Sequence, residues 1–176
     1  MKIKPNYFLI PLITILVAVI GSSFTSSGML WYKTTIIRPE LTPPNWAFPI
    51  AWNLIFVCAT ISALIIYNKR EDENFALSLL EKIINLFRHK KPDLIFRWII
   101  VLFVINAILN VTWSLLFFNL HLIQASLAEM IALNGTTLAL IILMWERSKT
   151  ASLLLTPYAI WVGFATYLTY QIWILN

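Results

Sequence analysis

Charge is scarce in this chain. Only 12% of its 176 residues are Asp, Glu, Lys or Arg, against 60% hydrophobic residues, which leaves too little polar surface to coat a water-soluble globule of this size. A soluble catalytic domain is not expected, so any chemistry must sit between membrane helices or at their rims. Cysteine is scarcer still. The single Cys58 allows no disulfide framework and no CxxC metal or redox pair, and it reads as a small buried apolar residue within its span. His89 and His121 are too scattered to make a metal site without further ligands. No metal is therefore expected, and no cofactor is required.

What the chain does have is length of apolar sequence. Five stretches, roughly residues 7–24, 46–67, 94–118, 122–145 and 151–175, are each long enough to cross a bilayer as a helix. They predict an all-α membrane protein, a five-transmembrane-helix bundle forming a single domain over 1–176. Lys2 and Lys4 ahead of an apolar run resemble a secretory signal, but Gly21–Ser27 offers no convincing cleavage site. The first stretch therefore reads as a retained helix.

The net charge of +5 does not point to nucleic acid, because Lys and Arg cluster in the segments that flank apolar spans. If all five stretches cross, Lys33 and Arg38 are the only basic residues on one side and the other eleven of the thirteen lie on the opposite side. Positive charge resists translocation, so in a bacterial inner membrane the N-terminus is expected in the cytoplasm and the C-terminus outside. Within the 68–93 cytoplasmic connection, Phe75, Leu79, Leu80, Ile83, Ile84 and Phe87 fall near one helical face. That spacing predicts an amphipathic helix lying on the membrane surface.

The 25–45 connection, on the weakly charged side, differs in kind. Pro39, Pro43 and Pro44 restrict its backbone while Trp31, Tyr32, Ile36, Ile37 and Leu41 supply apolar surface, a combination that predicts a folded cap. Asn45 is expected to cap the helix that Trp46 begins, and Pro49 falls in its first turn, where a missing N–H costs least.

Eight tryptophans divide by depth, taken at about 1.5 Å per residue. Trp31, Trp46, Trp98, Trp145 and Trp173 lie near span ends and read as interfacial anchors. Trp52, Trp113 and Trp161 are deeper, where an indole N–H needs a partner and hence the bundle interior. Trp52, Asn110, Trp113 and Glu129 fall at similar depth beneath the proline-rich connection. Trp161 is nearer mid-span, with Ala165 one turn further outward, a small residue where a ligand can approach the backbone. Together they predict an apolar, tryptophan-lined pocket roofed by residues 25–45.

Glu129 is the only acidic residue well inside a span, and a carboxylate there is costly unless paired or protonated. It is read either as a hydrogen-bonded helix contact, to Asn110, Asn53 or a carbonyl, or as a ligand- or proton-binding group. His121, at the outer turn, reads as solvated, with weak haem ligation as the alternative. The glycosylation patterns at Asn110 and Asn134 lie inside spans, out of reach of that chemistry.

These residues resemble the TspO family, whose members are also called translocator proteins, peripheral-type benzodiazepine receptors and tryptophan-rich sensory proteins. The likeness rests on Trp31-Tyr32, Arg38-Pro39, Thr42-Pro43-Pro44-Asn45-Trp46, Trp52, Asn110, Trp113-Ser114, Phe117-Phe118, Pro157-Tyr158, Trp161, Phe164-Ala165-Thr166, Leu168 and Tyr170, in five-span order. It implies a homodimeric five-helix bundle in membrane lipid that binds porphyrins such as protoporphyrin, and aromatic drug-like ligands. By position, Trp52, Phe56, Asn110, Trp113, Phe117, Glu129, Trp161 and Ala165 would contact the ligand beneath Pro43 in the roof. For some bacterial members it also implies light-dependent degradation of protoporphyrin through tryptophans matching Trp52 and Trp161, which would then be the catalytic pair. Leu41 departs from the tryptophan common before the Pro-Pro pair, and Glu129 from a common aspartate. No Lys or Arg follows Tyr170, so the weak cholesterol pattern is incomplete.

Three functions follow as expectations. The first is a binding and sensory protein for porphyrins and similar flat apolar ligands, which needs no acid–base pair. The second is a porphyrin-degrading photo-enzyme, and the third is a transporter of tetrapyrrole- or sterol-like ligands. No internal inverted repeat supports the third.

Overall fold

The computed structural model describes the backbone of residues 5–84 and 94–176, and the side chains of residues 5–69 and 94–176. Helix α1 (Asn6–Thr34) is followed by α2 (Ala47–Ile84) and α3 (Leu94–Ser114), which widens into a π-helical turn (Leu115–Asn119). Helices α4 (Ile123–Trp145), α5 (Lys149–Leu154) and α6 (Thr156–Leu175) complete the chain. Five helical segments are long and apolar enough to cross a membrane, and among the described residues there is no strand. The expected five-helix membrane fold is the observed one.

The element ends show where local chemistry outweighs hydropathy. Helix α1 runs ten residues beyond the expected end at 24, through the polar run Gly21–Ser27. It does so because the hydroxyls bond back onto the helix's own carbonyls, Ser22 to Val19 (3.1 Å) and Thr25 to Gly21 (3.0 Å), instead of competing with the helical ladder. The connection to α2 therefore begins at Thr35. Helix α2 continues to Ile84 as one helix, rather than giving way to a separate one, since beyond Pro49 in its first turn no Gly or Pro interrupts the sequence before that point. The amphipathic face expected from Phe75 to Phe87 lies outside the described side chains.

The fifth span is broken. Leu155 closes a tight turn onto Ser152 (3.1 Å) and α6 restarts with Pro157 in its first turn, where proline's missing N–H is tolerated. Helix α2 likewise holds Pro49 in its first turn. Asn45, expected to cap it, makes no side-chain hydrogen bond among the described residues, and the turn is closed instead by Ala47 N–H donating to Pro44 O (2.9 Å).

Each span touches two neighbours, so that α1, α2, α5 with α6, α4 and α3 form a closed ring. Inside it lies a core of Ile55, Ile99, Met130, Leu133, Leu140, Met144, Leu155 and Val162. Because lipid is as apolar as a leucine core, hydrogen bonds between helices carry much of the specificity of such packing. Ser62 Oγ donates to Ala151 O and Ser152 Oγ to Ile141 O, both at 2.6 Å. At the end carrying the 35–46 connection a second cluster unites Tyr32, Ile36, Phe117, Phe118 and Ile172. The connection is thus seated on the bundle through Ile36, while Leu41 and Trp46 stand out at 63% and 67% exposure.

Candidate ligand site

Phe48, Trp52 and Phe56 recur every fourth residue and so share one face of α2. The backbones of α2 and α6 approach each other little, and aromatic rings bridge the seam. Running antiparallel, α6 sets Trp161 edge-on to Phe48 (5.8 Å between centroids) and Tyr158 edge-on to Trp52 (6.3 Å). Trp52 also stacks on Trp113 of α3 (6.2 Å, 29°), which stacks on Phe117 of the π-turn (5.7 Å, 19°). A stacked file of π faces thereby crosses from α2 to the end of α3.

Most of the residues singled out in the sequence meet in two aromatic groups. Trp52, Phe56, Trp113 and Phe117 belong to the file, whereas Trp161 pairs with Phe48 and Phe164 (5.9 Å) and makes no ring contact with Trp52. Trp52, Trp113 and Trp161 all pack on the central core, partly buried. Ala165 is buried one turn from Trp161. Pro43 lies in the connection above and lines a cleft of about 540 Å³ with Ile36, Arg38, Pro39, Thr42, Pro44 and Asn45.

The polar residues sort differently from expectation. Asn110 is occupied by Tyr158, whose hydroxyl accepts from Asn110 Nδ2 (2.9 Å) and donates to Asn106 Oδ1 (2.9 Å). Asn106 Nδ2 in turn reaches Thr136 and Thr137, each hydroxyl at 2.9 Å. This buried network links α3, α4 and α6. Asn106 escaped the sequence reading although its signal was there: a second amide one turn before Asn110, placing two polar groups on one face of an apolar span.

Glu129 is consequently left alone. Its residue is 9% exposed, neither carboxyl oxygen has a hydrogen-bond partner, and Asn53, the other candidate, faces outward. Of the two readings of Glu129, the helix-to-helix hydrogen bond is absent among the described residues, where Asn110 Nδ2 donates to Tyr158. Trp113 Nε1 and Trp161 Nε1 are also buried without partners. Each such uncompensated polar group is costly, since it forfeits its hydration.

Trp31 lies face to face with His121 (3.9 Å, 17°) and edge-on to Phe117 (5.8 Å). His121 holds a left-handed backbone (φ 55°) at the turn between α3 and α4; it is exposed, as expected, and its ring also stacks on Trp31. Cys58, expected to be buried, is partly exposed.

The chain as a whole is similar to known proteins. The model of the TspO/MBR family matches residues 9–174. The "Tryptophan-rich protein TspO" of Chlorobaculum tepidum is 34% identical over 160 residues, covering 89% of this chain and 86% of that one. The protein of the same name from Archaeoglobus fulgidus is 31% identical over 156 residues, 89% of this chain and 87% of that one. The human "Translocator protein" is 24% identical over 155 residues, 88% of this chain and 80% of its own. With nearly its whole length matched, the chain is an integral, multi-pass membrane protein that belongs to the TspO/MBR family.

Proposed function

We propose that this protein binds porphyrins and similar flat apolar ligands in the aromatic seam between α2, α3 and α6, and that occupancy is its signal. The observation that carries the reading is the occurrence, in the same bundle, of stacked indole faces and three buried polar groups, Glu129, Trp113 Nε1 and Trp161 Nε1, that have no partner among the described residues. A tetrapyrrole supplies an extended π face to the first and polar atoms to the second. Pro43, Phe56, Asn110, Phe117 and Ala165 complete the ligand shell in this reading, and no resident cofactor is needed. Membership of a family whose names include tryptophan-rich and translocator proteins supports it. The working unit is a homodimer in a bacterial inner membrane, with the N-terminus cytoplasmic, as the distribution of Lys and Arg favours.

Titration of the detergent-solubilised protein with protoporphyrin in the dark tests the reading. Saturable quenching of tryptophan fluorescence, weakened in Trp52→Phe and Trp161→Phe, is the expected result. Linear quenching no steeper than that of free tryptophan defeats it. Repeating the titration under illumination separates binding from turnover: bleaching that vanishes in those two variants while dark affinity survives would make the protein a photo-enzyme.

A further inference from the structure

The cleft on the 35–46 connection is polar, unlike the seam below it. Its lining offers the guanidinium of Arg38, the hydroxyl of Thr42 and the amide of Asn45. None is committed: Thr42 Oγ1 is buried without a partner, Asn45 makes no side-chain hydrogen bond, and Arg38 forms no ion pair among the described residues. Glu40, two residues from Arg38, is exposed and does not line the cleft. Helix α2 starts at Ala47, just beyond Asn45, and turns its positive end toward this part of the chain. Every one of these features favours an anion with several acceptor oxygens.

The cleft and the seam are linked through Ile36. Ile36 lines the cleft, yet it is buried in the cluster that holds Phe117 and packs against Trp113. Ile36 thus belongs both to the lining of the cleft and to the cluster at the end of the stacked file. We infer that the cleft is an anchoring site for a carboxylate carried by the ligand, with Arg38 as its counter-ion and Thr42 and Asn45 as neutral donors, while the flat body of the ligand lies among the indoles. The site rests on the function proposed above and narrows its substrate class to flat apolar molecules bearing an acidic group at the edge. It also gives Arg38 a task that orientation in the membrane does not explain, since a cation on the weakly basic side works against the charge bias.

The test compares protoporphyrin, which carries two carboxylates, with its dimethyl ester, which carries none, by dark fluorescence quenching in neutral detergent. The wild-type protein is expected to bind the diacid on the order of tenfold more tightly, the size of a charge-assisted hydrogen bond partly exposed to water. Arg38→Gln should erase that preference and leave ester affinity unchanged, which also shows that the variant is folded. Lys33→Gln, which removes a neighbouring charge outside the cleft, should preserve the preference. Equal wild-type affinity for diacid and ester overturns the anchoring site while leaving the binding function standing, as does a preference that persists in Arg38→Gln or is lost in Lys33→Gln. If neither compound quenches saturably, the binding function fails and the anchor with it. If phosphatidylglycerol added to the micelles abolishes the preference without changing ester affinity, the cleft is a lipid-headgroup site and the assignment to the ligand is wrong.

Discussion

Gly28 of α1 lies directly on the backbone of Phe118. A Cβ at residue 28 would stand deep inside van der Waals contact with the Phe118 carbonyl group and its Cβ, so backbone has to move for any larger residue to enter. The wide π-turn brings Phe118 to this point, and with it Phe117, the end of the stacked file. Gly28→Ala should therefore lower the thermal unfolding temperature in detergent, with a cost of about 1–3 kcal/mol for overpacking a tight contact. Gly21→Ala, one stretch back on the same helix, meets only Ser114 Oγ at 3.5 Å and should be nearly neutral. Equal effects of the two substitutions would show that helix propensity, not contact with the π-turn, sets the choice of glycine at residue 28.

The proline-rich connection, seated through Ile36, is also tied down at Ile37. Asn176 Oδ1 accepts from Ile37 N–H (2.9 Å) while its Nδ2 donates to Ile37 O (3.2 Å), so a single amide satisfies both backbone groups of Ile37. Asn176→Ala should free them to water at a cost near 1 kcal/mol each. Amide hydrogen exchange around Ile37 should quicken by roughly five- to thirty-fold, with the α4 amides unchanged. Unchanged exchange at Ile37 would mean that Ile36, buried beneath it, holds the connection alone.

Five spans, the seated connection and the family were legible in the sequence because they depend on signals that survive without coordinates: apolar length, proline placement and aromatic spacing. Which rings meet was not. A helix that is apolar nearly all round carries little periodic information about its rotation, so nothing in the sequence set Trp52 against Trp113 while setting Trp161 against Phe48. The π-turn that brings Phe117 under Trp113 has no composition signature either, and the hydroxyl back-bonds that extend α1 to Thr34 are invisible to hydropathy. Depth alone grouped Asn110 with Glu129, yet a phenol from another helix claimed the amide first.

That phenol sits at the centre of the one buried polar network crossing the aromatic region among the described residues. Tyr158→Phe deletes a hydroxyl that both accepts and donates, stranding Asn110 Nδ2 and Asn106 Oδ1 in the bundle interior. Leaving such groups unsatisfied costs about 1–3 kcal/mol each, so Tyr158→Phe should destabilise visibly in thermal unfolding despite its near-identical shape. Asn110→Leu in the Tyr158→Phe background should recover part of the loss by removing an orphaned amide. An additive double variant would show that the two side chains do not share the network seen here.

Glu129 makes the opposite prediction. A residue kept for structure should have partners, and its carboxyl has none, while its immediate neighbour Met130 is fully buried and packed. Replacing a buried carboxyl that makes no hydrogen bond with an apolar side chain of similar volume removes a desolvation cost without breaking a contact. Glu129→Leu should consequently raise thermal stability, by an amount equivalent to about 1–3 kcal/mol, and at the same time weaken dark binding of protoporphyrin, because the polar complement to the ligand is gone. Glu129→Gln retains a polar group of the same size and should fall between the two in both measurements. The pair of readouts separates the roles of this side chain. A structural carboxyl would lose stability on conversion to leucine, an inert one would change neither quantity, and only a group retained for a ligand trades one against the other.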